Sequence, residues 1–224
     1  MHLSRILHMS KLELIRKTIK QIPRGKPFFT KNLSVKYPSK DLSRVLSSLV
    51  KKEEIKRVIR GIYVRPERNR FLPNCAILPS SDKIVEAISK KTGEIISVHG
   101  AVALNRIGLS TQVPARAIYH TTGRSRYVKI NENFEIKLVH INPKKLVMPG
   151  TVTCYVVNAL WFEGKSFLTP AVVKRIHHRI GNEHFSEVVR HLNKMPAWMR
   201  VIFLQYQCMK SDDPRLKKDL DEYY

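Results

Sequence analysis

The chain has 224 residues, room for one large domain or two small ones, and 43% of them are hydrophobic, which excludes wholesale disorder. Its formal net charge is +23 and its isoelectric point is near 10.2, a balance that points to a polyanionic partner: DNA, RNA or an anionic membrane surface. The excess is uneven, since residues 1–70 hold 19 Lys and Arg against 5 Asp and Glu while the remaining 154 residues hold 22 against 13.

No apolar run approaches the roughly 18–20 residues that span a bilayer. "MHLSRILHM" is too short and too interrupted for a signal peptide, and translation starts at Met1 or at Met9. Cys75, Cys154 and Cys208 are odd in number and widely spaced, which supports neither a disulfide framework nor a zinc site and fits a reducing cytosol. The expectation is a soluble, cytoplasmic protein with no membrane partner.

Residues 10–21 place Leu12, Ile15 and Ile19 at helical spacing behind Ser10 as N-cap. "PRGKP" breaks the chain, and Thr30 is expected to cap a short helix with Leu33 and Tyr37 inward. After Pro38, "SKDLSRVLSSLVKK" puts Leu42, Val45, Leu46, Leu49 and Val50 on one helical face. "IKRVIRGIYV" then surrounds an Arg-Gly turn with β-branched residues, a hairpin signal. Three helices and a hairpin within about 55 residues is the order of a winged helix-turn-helix domain, assigned to residues 10–66.

Residues 66–80 carry no periodicity and hold three prolines, Pro66, Pro73 and Pro79, and the linker is placed at 67–80. The second domain is placed at 81–209, opening with an amphipathic helix capped by Ser81 and stopped by Gly93. "VHGAVALNRIGLS" reads as a second helix, followed by strands in "RAIYHTT", "RYVKI" and "FEIKLVHI". "TVTCYVVNALWFEG" is ambiguous; its length and Ala-Leu-Trp ending favour a helix over the strand that its β-branched residues would prefer. "TPAVVKRIHHRIG" and "HFSEVVRHLNKM" read as two helices broken at Gly181-Asn182, and residues 210–224 as a polar tail. The fold class is α+β: a winged helix-turn-helix, then a mixed α/β domain with a small sheet and flanking helices.

The major groove of DNA admits one α-helix and is read by short polar and basic side chains. Ser39, Lys40, Ser43, Arg44, Ser47 and Lys51 lie on the polar face such a helix would present, with Thr30 and Lys31 on the helix before it. Lys56, Arg57 and Arg60 sit in the hairpin and Arg65 just beyond, where a wing touches phosphates. Taken singly, each could belong to a solvated basic face; their combination favours DNA.

Other patterns are weaker. His177, His184 and His191 recur every seven residues beside His178, but the break at Gly181 and the lack of HExxH or CxxC argue against a metal. Glu135-x-Lys137 lacks the acidic partner that metal-dependent cleavage needs. "TTGRSR" is a hairpin turn or an anion contact. No nucleophile–base motif is recognisable, so neither enzymatic activity nor a cofactor is expected.

"RGIYVRP", "VHGAVALNRIGLSTQVP", "AIYHTTGRSRYVKI", "VNALWFEGK" and "MPAWM" together make residues 10–205 resemble the AbiEi-like antitoxins of bacterial abortive-infection, type IV toxin–antitoxin systems. The resemblance implies an N-terminal domain that represses its own operon and a C-terminal domain that neutralises a toxin. It also implies a nucleotidyltransferase-like toxin as partner, without a required stable complex. Arg124, Arg126 and Lys129 concentrate charge around one strand turn and are the candidates for the neutralising surface. The alternative is an RNA-binding or nucleic-acid-processing protein with the same reader.

Overall fold

The capping signal at Ser10 fixes where the first helix starts. A computed structural model describes residues 10–69 and 76–211, and the candidate start at Met9, Pro73, Cys75 and the tail after Ser211 lie outside the described residues. Ser10 and Glu13 form a reciprocal capping box at the head of α1 (Lys11–Gln21). The fold is mixed α+β, helices with small antiparallel sheets, and the chain divides into two compact units: residues 1–94 with 127–136, and residues 95–126 with 137–224.

In the first unit α1 is followed by β1 (Pro27–Phe29), α2 (Thr30–Ser34), α3 (Ser39–Lys51), β2 (Lys56–Ile59) and β3 (Ile62–Val64). The three strands form one antiparallel sheet in the order β1-β3-β2. Ile15 and Ile19 of α1 meet Leu42, Val45, Leu46 and Leu49 of α3 in a core that also takes in Phe28, Leu33 and Ile55. Truncating one of these buried leucines to alanine typically costs about 2–5 kcal/mol, so the apolar stripe of α3 is what holds its polar face outward.

Two expectations fail in this stretch. Thr30 does not cap α2 but is its first residue, with Phe29 at the N-cap, because Thr30 is drawn toward the hairpin: its backbone N–H donates to Gly61 O at 3.1 Å. Residues 67–80 are not wholly linker, since β4 (Glu67–Arg68) pairs antiparallel with β5 (Ala76–Ile77).

The helix α4 (Ser81–Thr92) follows, capped by Ser80 rather than Ser81 and stopped by Gly93 in the left-handed region. It falls in the first unit, not at the head of the second domain, because its buried face of Ile84, Val85, Ala87 and Ile88 packs beside β1.

The remaining elements are β6 (Ile96–Val98), α5 (Gly100–Arg106), β7 (Ala117–Thr121), β8 (Arg126–Lys129), β9 (Glu135–His140), α6 (Val152–Glu163), α7 (Pro170–Arg190) and α8 (Ala197–Lys210). The sheet order is β6-β7-β9-β8. The ambiguous stretch is the helix α6, buried on nearly every side, as a helix apolar all round must be. Val98 and His99 are not helical: Val98 ends β6 and His99 caps α5, so that helix is shorter than the sequence implies. Gly100 is where α5 closes on α6; a Cβ there would meet Phe162 Cβ at 2.2 Å and Asn158 O at 2.7 Å. The break at Gly181 is present as a kink with φ 79°, inside what is otherwise one continuous span.

Candidate nucleic-acid interface

A 13-residue helix turning 100° per residue sorts its side chains into arcs. In α3, Lys40, Ser43, Arg44, Ser47 and Lys51 share an arc of about 100° opposite the buried arc of Leu42, Val45, Leu46 and Leu49. All five are exposed. Ser39 is exposed at the head of the same helix, and Lys31 is exposed on α2. Among the described residues no carboxylate pairs with Lys40, Arg44, Lys51, Arg57 or Arg60. The face is therefore a run of short hydroxyls and uncompensated cations on a rigid, well-packed helix.

The hairpin contributes less than its sequence promises. Its turn is two residues long, closing directly after the pair Ile59–Ile62, so it projects little beyond the sheet. Arg57 and Arg60 are exposed. Lys56 pairs with Glu53 at 2.6 Å, a bond and charge that hold the Glu53 carboxyl below its ordinary range. Arg65 is engaged internally: its Nη1 donates to Lys20 O and Ile22 O, tying off the end of α1. Burial and the neighbouring Arg24 lower its pKa against the opposing pull of Glu54. Thr30 Oγ1 donates to Gly61 O at 3.4 Å, so it braces the turn.

In the second unit the Thr-Gly-Arg turn is pinned: His140 donates from its backbone N to Ser125 Oγ at 2.8 Å and from Nδ1 to Gly123 O at 2.9 Å. Arg124 is exposed there, while Arg126 is half-buried and donates to Arg124 O at 3.0 Å. Lys129, grouped with the first unit, is exposed on β8.

The histidine repeat has a packing role. His177 stacks on Phe185 at 3.9 Å, with Nε2 2.8 Å from Asn182 Oδ1 and Nδ1 3.0 Å from the Tyr206 hydroxyl. His191 Nδ1 donates to Glu187 O at 2.8 Å. Among the described residues no group of three or more His, Cys, Asp or Glu is arranged to hold a metal ion. Glu135 and Lys137 are both exposed on β9.

Sequence reasoning missed a buried polar cluster in the second unit. Asn158 of α6 is 2% exposed and donates to Ser97 Oγ and Val98 O, each at 3.0 Å, fastening α6 to β6. Cys154 Sγ lies 3.1 Å from Ser97 Oγ, and burial raises its pKa against those hydrogen bonds. Beside this, the rings of His99 and His120 lie 5.0 Å apart. Burial, with His99 and Lys145 close by, lowers the His120 pKa to about 4, and its buried Nδ1 has no hydrogen-bond partner among the described residues. The only local trace of the cluster is the spacing of Cys154 and Asn158, one helical turn apart.

No helix among the described residues is long and apolar enough to cross a membrane. A model for a protein family of unknown function, DUF6088, matches residues 14–188, most of the chain. No curated protein matches, and no solved structure does.

Proposed function

The chain belongs to the DUF6088 family, whose function is unknown, and we propose from its own residues that it is an antitoxin-type transcriptional regulator that binds double-stranded promoter DNA through an N-terminal winged helix. The observation that carries the reading is α3: an exposed arc of Lys40, Ser43, Arg44, Ser47 and Lys51, backed by a buried stripe and free of pairing carboxylates. The order α1-β1-α2-α3-β2-β3, with a β1-β3-β2 sheet, supports the winged-helix assignment.

B-DNA is favoured over RNA because the major groove of A-form RNA is too deep and narrow for such a helix. In this reading Arg44 and Lys40 face base edges, Ser43 and Ser47 accept or donate beside them, and Arg57 and Arg60 meet phosphates. Arg65, Thr30 and Lys56 serve the fold instead, given their internal bonds.

The antitoxin half of the proposal rests on the sequence resemblance. It gives the second unit the task of counteracting a nucleotidyltransferase-like toxin in the cytoplasm, without catalysis and without a required stable complex. A reporter driven by the protein's own promoter, together with growth of cells expressing the cognate nucleotidyltransferase-like toxin, tests both halves. Wild type is expected to repress and to rescue; Arg44→Ala is expected to rescue without repressing. Repression untouched by Arg44→Ala would contradict the reader, and wild type that never rescues would contradict the antitoxin role.

A further inference from the structure

The first unit carries more cationic surface than α3 and its hairpin. Along β1, α4 helps to line a cleft of about 360 Å³ whose floor is Pro27, Phe29 and Ala87. Its rim carries Arg24, Lys26, Lys83 and Lys90, with Glu86 as the single carboxylate. Glu86 is taken up by Lys90, one helical turn away at 2.6 Å. Lys26 and Lys83 are exposed, and no carboxylate among the described residues pairs with either.

The cleft connects to the reader. At the C-terminal end of α4, Lys91 Nζ donates to Arg60 O in the hairpin turn. The same turn is held against the head of α2, where Thr30 N donates to Gly61 O at 3.1 Å. The cationic stripe of α4 therefore starts at the hairpin turn and runs back along β1. A larger groove of about 1040 Å³ in this unit is a poorer anion site, because Glu53, Glu54 and Glu67 interrupt its cations.

We infer that α4 is a working part of the nucleic-acid interface: Lys26 and Lys83 hold the sugar-phosphate backbone that flanks the segment met by α3, while the bond from Lys91 to Arg60 O fixes α4 beside the hairpin turn. This rests on the DNA-binding reading above and extends it to an element that lies past the hairpin in sequence. The chemistry fits a backbone rather than a base edge. Ammonium groups on flexible stems are point charges for phosphates, and a flat floor of proline, phenylalanine and alanine suits the apolar face of deoxyribose. A hairpin too short to reach outward leaves this flank to do what a long wing otherwise does.

The test uses the full chain, a fluorescent random-sequence duplex of about 40 base pairs, and salt from about 50 to 200 mM. The double variant Lys26→Ala, Lys83→Ala is compared with wild type and with Arg44→Ala, each checked for native circular dichroism. Removing one lysine–phosphate pair should reduce the slope of log affinity against log salt by about 0.9, so the double variant's slope is expected to be shallower by about 2. On a short duplex of about 12 base pairs, which ends near the reach of α3, the same variant should bind almost as wild type does. An unchanged slope on the long duplex, with Arg44→Ala still weakened on the promoter duplex, would overturn the role of α4 and leave the reader standing. Wild type that binds neither duplex would overturn both.

Discussion

Acidification is expected to destabilise the second unit through His120. The ring is half-buried beside His99 and Lys145, and its pKa falls from 6.5 to about 4 on folding. Between those values the unfolded chain takes up a proton that the folded chain refuses, so stability rises with pH across this window. The contribution is fully present above about pH 6.5 and is lost as the pH falls toward 4. Each tenfold difference in proton affinity is worth about 1.4 kcal/mol, so the fall from 6.5 to about 4 sets a ceiling of about 3 kcal/mol. Solvent screening of a half-buried ring brings the expected loss to about 1–2 kcal/mol. His99 is pushed the same way, by burial and then by Lys137, and adds to the loss with the same sign. Both tryptophans of the chain, Trp161 and Trp198, lie in the second unit, their rings 5.7 Å apart, so tryptophan fluorescence during urea unfolding reports on this unit alone. Wild type should lose stability between about pH 7 and pH 5, and His120→Gln should lose measurably less. Superimposable pH profiles for the two proteins would refute the account of a histidine held neutral by burial.

Other substitutions separate folding from binding. Arg65→Ala should cost about 1–2 kcal/mol in thermal unfolding, because two carbonyls at the end of α1 lose their donor, while DNA affinity changes less than about twofold. Asn158→Ala should destabilise the second unit by about 2–3 kcal/mol in the fluorescence assay, since Val98 O and Ser97 Oγ lose a buried partner. Gly100→Ala should cost at least about 2 kcal/mol by the same measure, because its methyl group would collide with Phe162 and the backbone of Asn158.

Much of the first unit was legible because its signals are local. Ser10 as N-cap, the 3.6-residue stripe of α3 and the Arg-Gly turn each declare themselves within a few residues, and α1, α3 and the β2–β3 hairpin stand where they predict. The misses have a common cause in distant partners. β1 is three residues beginning with proline, without enough length for a period, and exists because it pairs with β3. Likewise β6 is three residues made into a strand by β7, which is why Val98 read as helix. Thr30 looks like a cap until Gly61, thirty-one residues on, engages it. The affiliation of α4 turns on which surface buries Ile84 and Ile88, which its amphipathic pattern cannot say. At the candidate interface, the exposure of Lys40 and Arg44 follows from helical phase, whereas the internal engagement of Arg65 and Lys56 depends on carbonyls and a carboxylate that only the tertiary structure brings near.

The central claim is that α3 reads DNA, and Arg44 is its sharpest point. Fluorescence anisotropy at one fixed salt concentration, with the promoter duplex and a random duplex of equal length, measures it directly. On the proposal that Arg44 makes a bidentate contact to a base, Arg44→Ala should bind the promoter about 1–3 kcal/mol more weakly, with a far smaller change on random sequence. Arg60→Ala, at the turn proposed to meet phosphates, should weaken both duplexes by similar factors. Equal, unchanged affinities for wild type, Arg44→Ala and Arg60→Ala on both duplexes would contradict the account.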